Sequence, residues 1–182
     1  MRRPVDASRL RSFLQALGAR AAEETRVYLT GGATAVLEGW RTTTIDVDLK
    51  MVPESEAMLR AIPSLKESLE LNVELAAPDQ FIPEVPGWVG RSPFIAREGR
   101  CSFYHYDFYS QALAKIERGH EKDLSDVREM LKRGKIDSSG LIRHFNEIEP
   151  QLYRYPAIDP GSFRAAVNRM IQDAAESKEG KR

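Results

Sequence analysis

The sequence predicts an α+β protein: a small mixed β-sheet with flanking helices, followed by a helical C-terminal part. Short β-rich runs (RVYLT, TIDVDL, LNVELA and RCSFYHY) all fall before residue 107. Stretches of 3.6-residue apolar periodicity lie between those runs and then dominate beyond Ser110. The chain has 182 residues, 42% of them hydrophobic and 30% charged. That suits one domain, or one domain with a helical appendage, with enough core to need neither disulfides nor a structural metal.

Taking the elements in order, Leu10, Phe13, Leu14 and Leu17 form one stripe at i, i+3, i+4 and i+7, which predicts a helix over 6–24. Arg26 to Thr30 predicts a short strand. Gly31-Gly32 breaks it, and Ala33 to Glu38 reads as a short helix stopped by Gly39. From Thr44 to Leu49 the residues alternate, with Ile45, Val47 and Leu49 on one face and Thr44, Asp46 and Asp48 on the other. Pro53 opens a further helix whose core face is Leu59, Ile62, Leu65 and Leu69, and Pro63 predicts a kink or break in it. Leu71 to Ala76 is a strand. Residues 78–93, with four prolines and two glycines, predict an ordered loop without regular structure.

Phe94 to Ala96 and Arg100 to Tyr106 then read as a hairpin. Helices follow over 110–118 and 121–133, separated by Gly119, and Gly134 ends the second. Ser138 or Ser139 caps a third, and Pro160 starts a fourth near Ser162. The organisation expected is an α/β core over 1–106, a helical part over 107–176 packed on it, and a frayed tail over 177–182.

Twenty-seven basic residues balance twenty-seven acidic ones, so no global pull towards nucleic acid or membrane exists, although a local basic patch remains open. The single cysteine, Cys101, excludes an internal disulfide and a cysteine-based zinc site, and reads as a half-buried strand residue. No apolar signal core and no membrane-length run is present, which makes a cytoplasmic location the expectation.

The chemistry concentrates between Tyr28 and Leu49. Asp46 and Asp48 stand two apart on a strand, so their carboxylates project from one face. Neighbouring carboxylates repel, and a buried charge needs a partner. A divalent cation meets both demands, and hard oxygen ligands suit Mg²⁺ or Mn²⁺. A bare D-x-D is more often a solvated strand face. Gly31 and Gly32 upstream shift that balance, because glycine lets the backbone approach a ligand closely. The N–H groups at the turn would then cradle phosphate. Taken alone, the glycine pair is a tight strand-to-helix turn.

A strand, a glycine pair, a short helix and then R-x-T-T-x-D-x-D (Arg41, Thr43, Thr44, Asp46, Asp48) resembles the core signature of polymerase-β-like nucleotidyltransferases. Within that superfamily the chain is similar to the small bacterial AbiEii-type toxins and related nucleotidyltransferases. The resemblance implies transfer of a nucleotidyl group from a nucleoside triphosphate to a hydroxyl. Asp46 and Asp48 would hold Mg²⁺ or Mn²⁺, and Gly31 and Gly32 would contact the triphosphate. Arg41 and Thr43 or Thr44 would lie beside the site. A second block, Ala112 to Asp137, matches helices that bring a lysine and an aspartate to the same pocket in toxin-like members. The matching residues are Lys115 and Asp123, with Asp126 as a second candidate; the alternative is an ordinary charged helix surface.

The third carboxylate of the family corresponds to Glu74, or to Asp79 beyond Pro78. Without it, the chain would be a nucleotide-binding or partner-binding regulatory protein of the same fold. An RNA acceptor, tRNA included, and a cognate protein partner in a toxin–antitoxin or defence system are implied by the resemblance alone. His105 is read as a hydrogen-bonded structural residue rather than a base, and His120 and His144 as surface residues. Trp40 and Trp88 are expected to pack over the core edge rather than stack on a base. Lys132, Arg133 and Lys135 are expected to complement a helix C-terminus rather than meet RNA phosphates.

Overall fold

A computed structural model describes residues 3–179. The chain folds as two compact units: Met1–Ala77 with Ser92–Tyr106, and Pro78–Arg91 with Asp107–Arg182.

The first unit is a five-stranded mixed sheet with helices. Its strands are β1 (Thr25–Thr30), β2 (Asp46–Val52), β3 (Asn72–Leu75), β4 (Phe94–Glu98) and β5 (Cys101–His105), in the order β3-β2-β1-β5-β4. β1 runs antiparallel to β2 and parallel to β5; β2–β3 is parallel and the β4–β5 hairpin antiparallel. Strand alternation puts Val27, Leu29, Val47, Leu49, Val73 and Phe103 into one core. There they meet the apolar stripes of α1 (Ala7–Gly18), α2 (Gly31–Leu37) and α3 (Glu56–Ser68). Alternation turns Tyr28, Tyr104, Thr30, Asp46, Asp48 and Glu74 to the opposite face. Asp6 caps α1 by accepting from the Arg9 N–H, and the Arg9 guanidinium donates to the Pro4 and Leu69 carbonyls. That side chain ties the N-terminal arm to the end of α3.

Pro63 does not break α3, which runs uninterrupted from the Ser55 cap to Ser68. Burial of Met58, Ala61, Ile62 and Leu65 on the sheet outweighs the roughly 3 kcal/mol that proline removes from a helix interior. The strand expected from Thr44 starts at Asp46. Thr44 makes instead an isolated antiparallel bridge with Val5.

The second unit is helical: α4 (Trp88–Arg91), α5 (Phe108–Arg118), α6 (Glu121–Lys132), α7 (Ser138–Ile148) and α8 (Pro160–Glu179), with 3₁₀ turns at Pro78–Gln80 and Glu149–Arg154. α5 packs on α6, α7 and α8. Residues 78–91, grouped by the sequence with the first half and expected to lack regular structure, carry both a 3₁₀ turn and α4 and belong here. Ile82, Val85 and Trp88 are buried, and the Tyr155 hydroxyl donates to the Asp79 carbonyl. Asp137, not Ser138 or Ser139, caps α7. α8 extends to Glu179, past the point where fraying is expected; residues 180–182 lie outside the described residues.

Asp107 is 1% exposed and caps α5, accepting from the N–H groups of Tyr109 and Ser110 and from the Ser110 hydroxyl. Arg91 closes on both of its oxygens, at 3.1 and 2.8 Å. Asp107→Asn keeps a cap acceptor and loses the charge-assisted fork. Urea unfolding is expected to show a loss of about 2 kcal/mol; a loss below about 0.5 kcal/mol would make the fork energetically idle.

Candidate active site

Asp46 opens β2 and Asp48 follows on the same face, both half-buried. The register sets Asp48 beside Thr30 on β1 and beside Glu74 on β3, and sets Asp46 beside Asn72. Three carboxylates therefore share one end of one sheet face, with Glu74 the exposed member. The Asn72 amide donates to Asp46 Oδ1 at 2.7 Å and to Glu74 Oε1 at 3.2 Å. Its positive edge lies between two anions and offsets part of their repulsion.

The glycine pair meets this row. Gly31 has φ +61°, a conformation other residues rarely adopt, and a Cβ there would lie 2.8 Å from Asp48 Oδ2. A Cβ on Gly32 would run into the Thr44 side chain, and Arg41 Nη1 lies 3.6 Å from the position that atom would take. Backbone thus stands directly against the carboxylate and the threonine, where any side chain would intrude. Thr44 is buried; its hydroxyl donates to the Asp46 carbonyl at 3.1 Å, and its bridge to Val5 fixes the start of β2. Thr43 is exposed. The first unit therefore brings together Gly31, Gly32, Arg41, Thr44, Asp46, Asp48 and Glu74.

Among the described residues, no group of three or more His, Cys, Asp or Glu side chains converges as a ready metal cage. The donor set nevertheless fits Mg²⁺. That ion keeps several waters and is held by one or two carboxylates together with substrate phosphates. A Cβ on Gly31 would fill the space between the backbone and Asp48.

Lys115 and Asp123 lie in the second unit. Lys115 is 5% exposed, and its ammonium donates to Asp123 Oδ1 at 3.0 Å and Asp126 Oδ2 at 2.7 Å. Arg118 adds two bonds to Asp123, at 2.7 and 2.8 Å. Two cations and two carboxylates form an internally neutral cluster linking α5 to α6, in which Lys115, Asp123 and Asp126 are buried and Arg118 is exposed. Burial pushes the Asp123 carboxyl up, but the hydrogen bonds from Arg118 and the Lys115 charge outweigh it and hold it below its ordinary value. Asp79, the alternative third acid, also lies in this second unit.

The Asn72 bridge and the two bonds from the exposed Arg118 to Asp123 carry no signal in the sequence, because each depends on a partner set by tertiary packing. His144, expected at the surface, is 5% exposed, packs against the Tyr109 ring and binds Glu147 through Nδ1. His120 is exposed and precedes α6. Trp88 is buried and Trp40 half-buried. Lys132 and Arg133 pair with Glu129, and Lys135 lies over the Phe108 ring. Cys101 is fully buried rather than half-buried, and burial pushes its thiol up to about 12, which leaves it inert. No helix among the described residues is long and apolar enough to cross a membrane. No family model, curated protein or solved structure matches the chain.

Proposed function

We propose that the protein is a metal-dependent nucleotidyltransferase of the polymerase-β-like superfamily, similar to the AbiEii-type toxins. It would move a nucleotidyl group from a nucleoside triphosphate to a hydroxyl, with RNA as the acceptor and a cognate protein partner. The observation that carries this reading is the approach of the Gly31-Gly32 backbone to Asp48 and Thr44, beside Arg41. A D-x-D on a solvated strand face needs no such approach; a triphosphate bridging backbone and carboxylate-held metal does.

The acceptor oxygen forms a bond to the α-phosphorus as the bond to pyrophosphate breaks. Asp46 and Asp48 would hold Mg²⁺, which neutralises phosphate charge and makes the acceptor hydroxyl more acidic. Glu74, one strand over and solvent-exposed, would complete the carboxylate set and accept the hydroxyl proton. The glycine backbone positions the triphosphate, and Arg41 supplies positive charge. Lys115 and Asp123 enter only through the resemblance.

The test is transfer from each of the four labelled ribonucleoside triphosphates to total RNA, with Mg²⁺ or Mn²⁺. Wild type is expected to label RNA, and Glu74→Gln to reduce the rate about a hundredfold. Metal-dependent binding without labelling would favour the regulatory nucleotide-binding alternative. No metal-dependent binding of any nucleotide would end the proposal.

A further inference from the structure

We infer that His105 is a positioning residue for this site: it acts through α2 and touches no substrate. The inference rests on the nucleotidyltransferase reading. His105 ends β5 beside Leu29 of β1 and is 5% exposed. Its side chain lies on the core face, away from the carboxylates. Nδ1 is 3.2 Å from Thr34 Oγ1, and Nε2 is 3.2 Å from Glu38 Oε1. Thr34 lies within α2 and Glu38 ends it, one helical turn further on, so the imidazole grips the helix at two levels.

The helix needs an external grip. At seven residues it is far below the length at which helices hold themselves, and the Thr30 side chain makes no cap bond. Its first two residues are the glycines that abut Asp48 and Thr44. An approach that close leaves little tolerance, because a tilt of α2 either drives Gly32 into Thr44 or opens the gap beside Asp48. The network fixes the far end of α2 to the ends of two strands. The Thr34 hydroxyl donates to the Leu29 carbonyl at 3.1 Å, and the same carbonyl accepts from the Tyr106 N–H at 2.7 Å. The Thr34 hydroxyl therefore stands between the Leu29 carbonyl and the imidazole, tying the helix to the strand through both.

The test uses the full chain with His105→Asn, which retains the reach to Thr34, His105→Gln, which retains the reach to Glu38, and Glu38→Gln. Thermal unfolding verifies that each variant folds. Amide hydrogen exchange over residues 33–38 and the kcat and KM for the magnesium–nucleotide are then measured together. In His105→Asn, exchange in α2 is expected to rise about tenfold with β1 and β2 unchanged. KM is expected to rise about tenfold with kcat falling less than about threefold, and His105→Gln to recover part of both. Unchanged exchange in α2 overturns the grip. Loosened α2 with unchanged KM overturns its functional role. If wild type neither binds nor transfers nucleotide, the reading of the site fails instead, and the exchange data still distinguish that failure from failure of the grip.

Discussion

Replacing Asp46 and Asp48 together by asparagine is expected to reduce metal-dependent nucleotidyl transfer by about a thousandfold or more, equivalent to roughly 4 kcal/mol of transition-state stabilisation. The residual rate should no longer respond to Mg²⁺ or Mn²⁺, and a chelator should bring wild type to the same level. The fold is expected to persist. Both side chains are half-buried on the face opposite the core, and asparagine at position 46 still offers an oxygen to the Asn72 amide. Removing two like charges beside Glu74 relieves repulsion, so chemical denaturation should show stability within about 1 kcal/mol of wild type, or above it. Retained, metal-responsive transfer in the double variant would mean that the metal site lies elsewhere.

Lys115→Ala is expected to be severe for a different reason. It leaves Asp123 and Asp126 at 9% and 3% side-chain exposure without the ammonium that both share. Breaking a buried pair in this way destabilises by about 3–5 kcal/mol. Adding Asp126→Asn to the same chain should recover a good part of that loss, which urea titration would show. The acid side of the stability profile should move as well. Asp123 is held below its ordinary value, so its contribution is fully present above the unfolded value of 3.8 and is lost as pH falls through the lower folded value. Without Lys115 the folded value rises towards the ordinary one, and that acid loss begins at higher pH. The family resemblance gives Lys115 a triphosphate to neutralise, whereas within its own unit the ammonium is engaged by two carboxylates. A variant with wild-type stability and weakened nucleotide affinity would restore the phosphate role and remove the structural one.

The carboxylate row and the glycine pair were legible because both are local. A period of two puts Asp46 and Asp48 on one face whatever the strand pairs with, and Gly31-Gly32 marks a turn by itself. What the row touches was not legible. Asn72 bridges Asp46 and Glu74 only because β3 pairs parallel to β2 in one register, and a shift of one residue would turn its amide to the core. The same limit applies to Arg118 and Asp126, whose partner Lys115 or Asp123 lies on another helix, and to Arg91, which reaches Asp107 from 16 residues away. Pro63 misleads a local reading because the burial that keeps α3 whole is tertiary. The proline-rich segment at 78–91 misleads similarly, since Ile82, Val85 and Trp88 declare a core that composition conceals.

The strand order also sets a sequence of assembly for the first unit. β1, α2, β2, α3 and β3 are consecutive in the chain, so the carboxylate end of the sheet forms from near neighbours. The β1–β5 seam instead joins residue 25 to residue 101 and residue 29 to residue 105, across a stretch that contributes residues 78–91 to the other unit. Closing so long a loop before any pairing rewards it is the entropically slow step, and parallel pairing makes it slower. On a ribosome, the carboxylate end can be built while β5 has yet to emerge, and the last strand to dock brings His105 with it.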